Sequence, residues 1–221
     1  MHDEMTRTKD KNQKKQRLSD QAYEQLRDAL IRLEFEPMEP LNERTLSANM
    51  GMGLAPIREA LRRLEHERLV TIYPRRGIFA AEINITDQQS IKEIRYELEG
   101  LAAYLAATRG TQQECQELMD IAEVLLQATE SEDKLRGDAA FRRQVYMMAR
   151  NSFLQPVLEM HHNLAMRLWY YCRRQKTRAT IGAMDYRPIA QAIKDGDADK
   201  ARQLLSGVVA EHSDILKSLL M

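Results

Sequence analysis

The sequence predicts a mainly α protein in two parts: a helix-turn-helix with a two-stranded wing, then an all-helical bundle of about six helices. Three observations lead there. Residues 43–79 read as helix, tight turn, helix and β-ribbon. From Asp87 to Met221 apolar residues recur at helical spacing, and no alternation of period two occurs over that span. The breaks between the later helices carry turn chemistry: Arg109-Gly110-Thr111, Asn151-Ser152 and Asp195-Gly196-Asp197.

Residues 1–17 are polar and Lys-rich (Lys9, Lys11, Lys14, Lys15, Arg17), with few apolar anchors, and are expected to be disordered. Ser19 or Asp20 can cap a helix running to about Leu33, with Ala22, Leu26, Ala29, Leu30 and Leu33 on its apolar face. Pro37 and Pro40 end it. A short helix carrying Leu46 ends near Met50 and Gly51, and Gly51 and Gly53 supply the turn. Pro56 falls in the first turn of the next helix, where its missing N–H costs nothing. That helix turns Ile57, Leu61, Leu64 and Leu69 inward. Val70–Tyr73, the basic turn Pro74-Arg-Arg-Gly77, then Ile78 and Phe79 read as strand, turn, strand. Residues 82–86 link to the bundle, with Thr86 or Asp87 as the next cap. The expected bundle helices are 87–109, 111–129, 132–150, 153–178, 180–195 and 197–219, the first with Ile91, Ile94, Leu98, Leu101 and Leu105 inward.

Two helices joined by a short Gly-containing turn are one way to place a helix in the major groove of DNA. A helical hairpin alone is weak evidence, but its charge is one-sided. Six arginines (Arg58, Arg62, Arg63, Arg68, Arg75, Arg76) fall within nineteen residues, against three acids, Glu59, Glu65 and Glu67. A solvated face mixes signs more evenly. Net charge over the 221 residues is zero, so contact with nucleic acid must rest on such local clustering. Residues 1–17 are then either a solubilising tail or an arm that touches phosphates.

Composition bounds the rest. The two cysteines, Cys115 and Cys172, lie far apart and have no metal-ligand partner at short spacing. Without a signal peptide the chain reads as reduced and cytoplasmic. No apolar run approaches the roughly 18 residues that a membrane span needs. No Ser-His-Asp or Cys-His arrangement, phosphate-cradling Gly-rich loop or zinc motif is present, so an enzyme is not expected.

Met50, Pro56, Arg58, Glu59, Ala60, Leu61 and Glu65, followed by Leu69, Val70, Arg76 and Gly77, resemble the winged helix-turn-helix signature of the GntR family of bacterial transcription regulators. Gly53, Leu54 and Ala55 stand where that signature usually has Ser-Arg-Thr. The replaced Arg often reads a base edge, so the departure bears on operator sequence. The resemblance covers about residues 19–80. It implies DNA contacts from Arg44, Arg58 and Gly77; the charge pattern adds Arg62, Arg75 and Arg76, and Pro56 completes the candidate set.

The second half resembles the FCD domain, the ligand-sensing, dimerising bundle of the FadR branch of that family. The matching residues are Ile94-Arg95-Tyr96-Glu97-Leu98-Glu99, Asp138-Ala-Ala-Phe141, Asn151, Ala192-Ile193, Gly196-Asp197-Ala198 and Ala201. Many such domains hold a divalent metal with one Asp and three His. Here only Asp138 remains; Arg142, Tyr186 and Val208 stand at the other positions, so no metal and no other cofactor is expected. His161, His162 and His212 are each read as surface or partly buried histidines. Arg95, Asp138, Arg142 and Tyr186 become the candidate ligand site, suited to a carboxylate or phosphate. The alternative is that an Asp138–Arg142 ion pair plugs the cavity. Trp169-Tyr170-Tyr171 reads as bundle core or dimer interface.

The expected protein is thus a winged helix-turn-helix over 18–82 and a ligand-sensing, dimerising bundle over 87–221. It would bind a palindromic operator on double-stranded DNA as a homodimer, respond to a small organic acid effector held in the bundle, and act as a repressor without touching a membrane. The alternative is a ligand-independent regulator with a plugged bundle.

Overall fold

A computed structural model describes residues 2–175 and 184–220, with side chains from residue 16 onward. The chain forms two compact units, 1–83 and 84–221.

In the first unit, helix α1 spans His2–Ile31. Its backbone runs through residues expected to be a disordered tail; 2–17 contain neither Pro nor Gly, so nothing interrupts a helix once the later turns nucleate it. Ser19 is accordingly no cap: it is buried in mid-helix, and its hydroxyl donates to the Gln16 carbonyl at 2.9 Å.

Helix α2 is Glu43–Met50. Asn42 caps it, its side chain accepting from the amides of Arg44 (2.9 Å) and Thr45 (3.2 Å). Gly51 closes it at φ 62°, a left-handed conformation that glycine adopts without a Cβ penalty. Helix α3, Leu54–His66, starts at Gly53 and buries Ile57, Ala60, Leu61 and Leu64. It is fastened to α1 by polar contacts as well: Arg63 lies over the Tyr23 ring, 3.9 Å from its centroid, and donates to Asp20 at 2.6 Å. Tyr23 donates to Glu67 at 2.7 Å.

Strands β1 (Val70–Tyr73) and β2 (Gly77–Ala80) pair antiparallel, Val70 facing Ala80 and Tyr73 facing Gly77. The ribbon gains a neighbour that local pattern did not reveal. Pro40 bridges to Phe79, and the Leu41 amide donates to the Ile78 carbonyl at 2.7 Å.

The second unit holds α4 (Asp87–Arg109), α5 (Gln112–Gln127), α6 (Ser131–Met148), α7 (Leu154–Gln175), α8 (Arg187–Lys194) and α9 (Ala198–Leu220). The expected ends of the 153–178 and 180–195 helices lie outside the described residues at 176–183. Thr111 and Glu114 form a reciprocal capping box at the start of α5. Helices α4 and α9 run against each other closely; Gly100 has no Cβ to hold them apart, and the Ser206 hydroxyl donates to the Tyr96 carbonyl at 2.8 Å.

The buried seam of α4 is not the leucine stripe. It consists of Gln88, Arg95, Glu99, Gly100, Ala102, Ala103 and Ala106. Leu98, Leu101 and Leu105 are only partly buried, and Ile94 is exposed. The small side chains admit α9, and two charged residues turn inward beside them.

Candidate functional site

The first unit presents a basic outer surface. Ala55, Arg58 and Arg62 of α3 are exposed at spacings of three and four, which places them on one helix face. Arg44 in α2 and Arg75, Arg76 and Gly77 at the hairpin tip are exposed too. Arg76 rests over the Tyr73 ring, 5.4 Å from its centroid, and Tyr73 meets Phe79 edge-on at 5.7 Å. Pro56 does not share this surface. It is buried within the first turn of α3, so it shapes the helix entry and offers nothing to DNA. Arg63 is held by Asp20 and Tyr23 at the α1 side. Arg58 makes a contact that the sequence did not suggest: its Nε donates to Glu43 at 2.9 Å.

In the second unit, Arg95, Asp138, Arg142 and Tyr186 do come together, and all four are buried. Arg142 is wholly buried. Its Nε donates to both oxygens of Asp138 (3.0 and 3.1 Å), Nη1 to Glu99, and Nη2 to the Tyr186 hydroxyl at 3.4 Å. Tyr186 in turn donates to Asp138. Arg95 donates to Glu99 at 2.7 Å, and its Nη2 lies 3.4 Å from Nδ1 of His162. Two guanidinium groups thus face two carboxylates in a closed network. Glu99 is the missing member of the expected set; its place four residues after Arg95 on one helix was the available signal.

His162 and His212 are not surface histidines. Each lies 4.0 Å from Asp138, on opposite oxygens, and both are buried. Only His161 is partly exposed, its Nδ1 2.7 Å from the Val157 carbonyl. Burial first, and then the charges of Arg142 and Arg95, hold His212 down at about 3. Burial, Arg95 and Arg142 also keep His162 well below its ordinary value, so both rings are neutral. Burial pushes Asp138 up to about 6 against the opposing pull of Tyr186 and Arg95. The Nε2 atoms of both histidines and the Tyr146 hydroxyl are buried without a hydrogen-bond partner.

These residues do not fit the metal of the family. Asp138 spends its oxygens on Arg142 and Tyr186. The charges of Arg95 and Arg142, which add to burial in keeping the two rings unprotonated, also oppose a divalent cation there. Val208, at the third histidine position, is packed against the apolar core. Among the described residues no group of three His, Cys, Asp or Glu is arranged to hold a metal. Cys115 and Cys172 are both buried.

Beside the cluster a small, solvent-open cleft, with room inside for about one water, is lined in part by Gln88, Arg95, Trp169, His212 and Ser213. Trp169 meets the His212 ring edge-on at 6.0 Å and is buried, so the first residue of the aromatic run is bundle core. No described helix is long and apolar enough to cross a membrane.

Comparison with known proteins agrees with both halves. The model of bacterial regulatory proteins of the gntR family matches residues 18–80, and that of the FCD domain matches 90–214. The chain is 27% identical over 191 residues to the HTH-type transcriptional regulator McbR of Escherichia coli, covering 82% of this chain and 85% of the relative. It is equally identical over 191 residues to the HTH-type transcriptional regulator YdhC of Bacillus subtilis, covering 83% and 84%. The solved structure of E. coli McbR/YncC superposes with a TM-score of 0.77 at 25% identity, over 92% of this chain and 99% of that one. A putative GntR regulator from Rhodococcus shares the fold at a TM-score of 0.67. Relatives and fold alike are those of transcriptional regulators and not of enzymes. The chain belongs to the GntR family of bacterial regulatory proteins, with a helix-turn-helix DNA-binding half and an FCD half, and is a DNA-binding transcriptional regulator.

Proposed function

We propose that the protein is a cytoplasmic repressor that binds a palindromic operator as a homodimer and responds to a small organic acid held in its bundle. The observation that carries the effector is the small solvent-open cleft beside the charged network, which Arg95 and His212 border. A carboxylate there would meet a guanidinium, a neutral imidazole with an unpartnered Nε2, and the Trp169 ring. Of the four residues in the expected ligand site, Arg95 alone reaches that cavity; Asp138, Arg142 and Tyr186 stand behind it and hold it in place. Arg44, Arg58, Arg62, Arg75, Arg76 and the Gly77 backbone are the proposed DNA contacts. The leucine stripe of α4 left off the buried seam, with exposed Ile94 and Tyr96, is the proposed face for a second copy. The effector would shift DNA affinity by binding one arrangement of the two halves better, with a coupling of about 1–3 kcal/mol.

A second reading has its own support. Arg142 is fully buried, and its charge and that of Arg95 are matched by Glu99 and Asp138. A network satisfied in this way plugs the bundle and needs no ligand. A thermal-shift screen with small mono- and dicarboxylates, followed by mobility shift on the upstream region of the protein's own gene, separates the two. A hit that raises the melting temperature, changes the shift and is lost in Arg95→Ala supports the effector reading. A screen without hits, with full DNA binding, supports the plug.

A further inference from the structure

We infer that Glu43 is a specificity-determining positioning residue: it holds Arg58 by its Nε, so that the two terminal nitrogens face the major groove end-on and read a guanine. This rests on the proposed placement of α3 against DNA. Four features of the first unit support it. Arg58 is exposed on the outer face of α3, in the middle of the Ala55–Arg62 row. Its Nε donates to Glu43 Oε2 at 2.9 Å, leaving Nη1 and Nη2 clear of that bond. Glu43 is itself well placed: it opens α2 directly after the Asn42 cap, where a carboxylate is favoured by the helix N-terminus. Its side chain is 27% exposed, half the value of 55% for Arg58, so it is the more anchored partner.

Arginine reads guanine by giving two parallel hydrogen bonds to O6 and N7. It can use either Nε with one terminal nitrogen or both terminal nitrogens. With Nε taken, only the end-on mode remains. A carboxylate at a DNA-facing surface also repels phosphates, and the bond to Glu43 restrains Arg58 from swinging to the backbone, which every sequence offers alike. Glu43 would therefore cost nonspecific affinity and raise discrimination. Ala55, one turn before Arg58, carries only a methyl group and adds no competing donor.

The test uses the full chain and a duplex that the wild-type protein selects from a random pool. Fluorescence anisotropy measures affinity for that duplex, for random-sequence DNA, and for duplexes in which each guanine of the half-site is replaced in turn by 7-deazaguanine, which lacks the N7 acceptor. In the wild type one guanine per half-site should cost about tenfold when replaced. In Glu43→Ala that penalty should disappear, while affinity for random DNA stays or rises a few fold. Glu43→Gln, which keeps an oxygen for the Nε bond, should retain most of the penalty. Glu43→Ala with the full 7-deazaguanine penalty overturns the inference. So does an equal loss on selected and random DNA, which would make Glu43 merely a support for α2. Arg58→Ala separates this from the underlying reading. If its loss leaves affinity and the penalty unchanged, the placement of α3 is wrong; if it removes the penalty and Glu43→Ala does not, only the positioning role fails.

Discussion

Replacing Arg142 with Met should destabilise the bundle by about 3 kcal/mol at pH 7, and by clearly less at pH 5.5. The guanidinium is wholly buried and donates to Asp138, Glu99 and Tyr186, so its loss leaves two carboxylates in a dry site with Arg95 as the one remaining counter-charge. Removing one partner from a buried pair costs about 3–5 kcal/mol, chiefly because the other charge stays behind. Here the site has an escape. Burial has already pushed Asp138 up to about 6. Its protonation at pH 7 therefore costs only about one pK unit, or about 1.4 kcal/mol, and that places the loss at the low end of the range. At pH 5.5 the acid form is favoured outright and that part of the penalty disappears. Methionine keeps the length of the side chain, so the cavity contribution is small. Urea unfolding followed by circular dichroism, at one fixed protein concentration and both pH values, measures the difference. A loss below about 1 kcal/mol at pH 7, or one equally large at pH 5.5, would refute the reasoning. It would mean that water or a rearranged Arg95 already satisfies the carboxylates.

Two further outcomes are expected. Stability should fall as pH drops from about 6.5 towards 4. His162 and His212 have depressed folded-state values, so the unfolded chain binds protons that the folded chain refuses, and that stability is lost on acidification. Asp138 is shifted upward and opposes one of the two below pH 6, which leaves a net slope of about 1.4 kcal/mol per pH unit. His212→Gln should flatten the slope in urea titrations at stepped pH; an unchanged slope would place the acid sensitivity elsewhere. The purified protein should carry no stoichiometric transition metal, and chelator should leave its melting temperature unchanged, because Arg142 occupies the carboxylate that a cation would need. About one zinc, nickel or manganese per chain by elemental analysis would overturn this and make ligands of His162 and His212.

The parts of this fold that could be read from the sequence are those set by short-range chemistry. Gly51 and Pro56 punctuate α2 and α3 within a few residues of where they act, and Pro74–Gly77 closes a hairpin on its neighbours. What stayed hidden depends on distant partners. The Pro40 bridge to Phe79 joins segments 39 positions apart, and nothing local to Pro40 announces it. The α4 seam is more instructive. A helix bearing Leu98, Leu101 and Leu105 beside Arg95 and Glu99 reads by periodicity as leucines in; only the family resemblance turns Arg95 towards the cavity, and nothing local buries Glu99, since an Arg–Glu pair four residues apart is ordinarily a solvated pair. The assignment reverses because the matching charges, Arg142 and Asp138, come from α6, more than forty residues later. Periodicity finds the faces of a helix but cannot say which face is buried when both are occupied. That reversal has a consequence for assembly. The bundle buries four charges in its interior, while Leu98, Leu101 and Leu105 pack against its core on one side only and stay half-covered on the other. For this chain, whose proposed operator is a palindrome, a second copy is the partner we propose for the leucine face, because it would match the two-fold DNA as well.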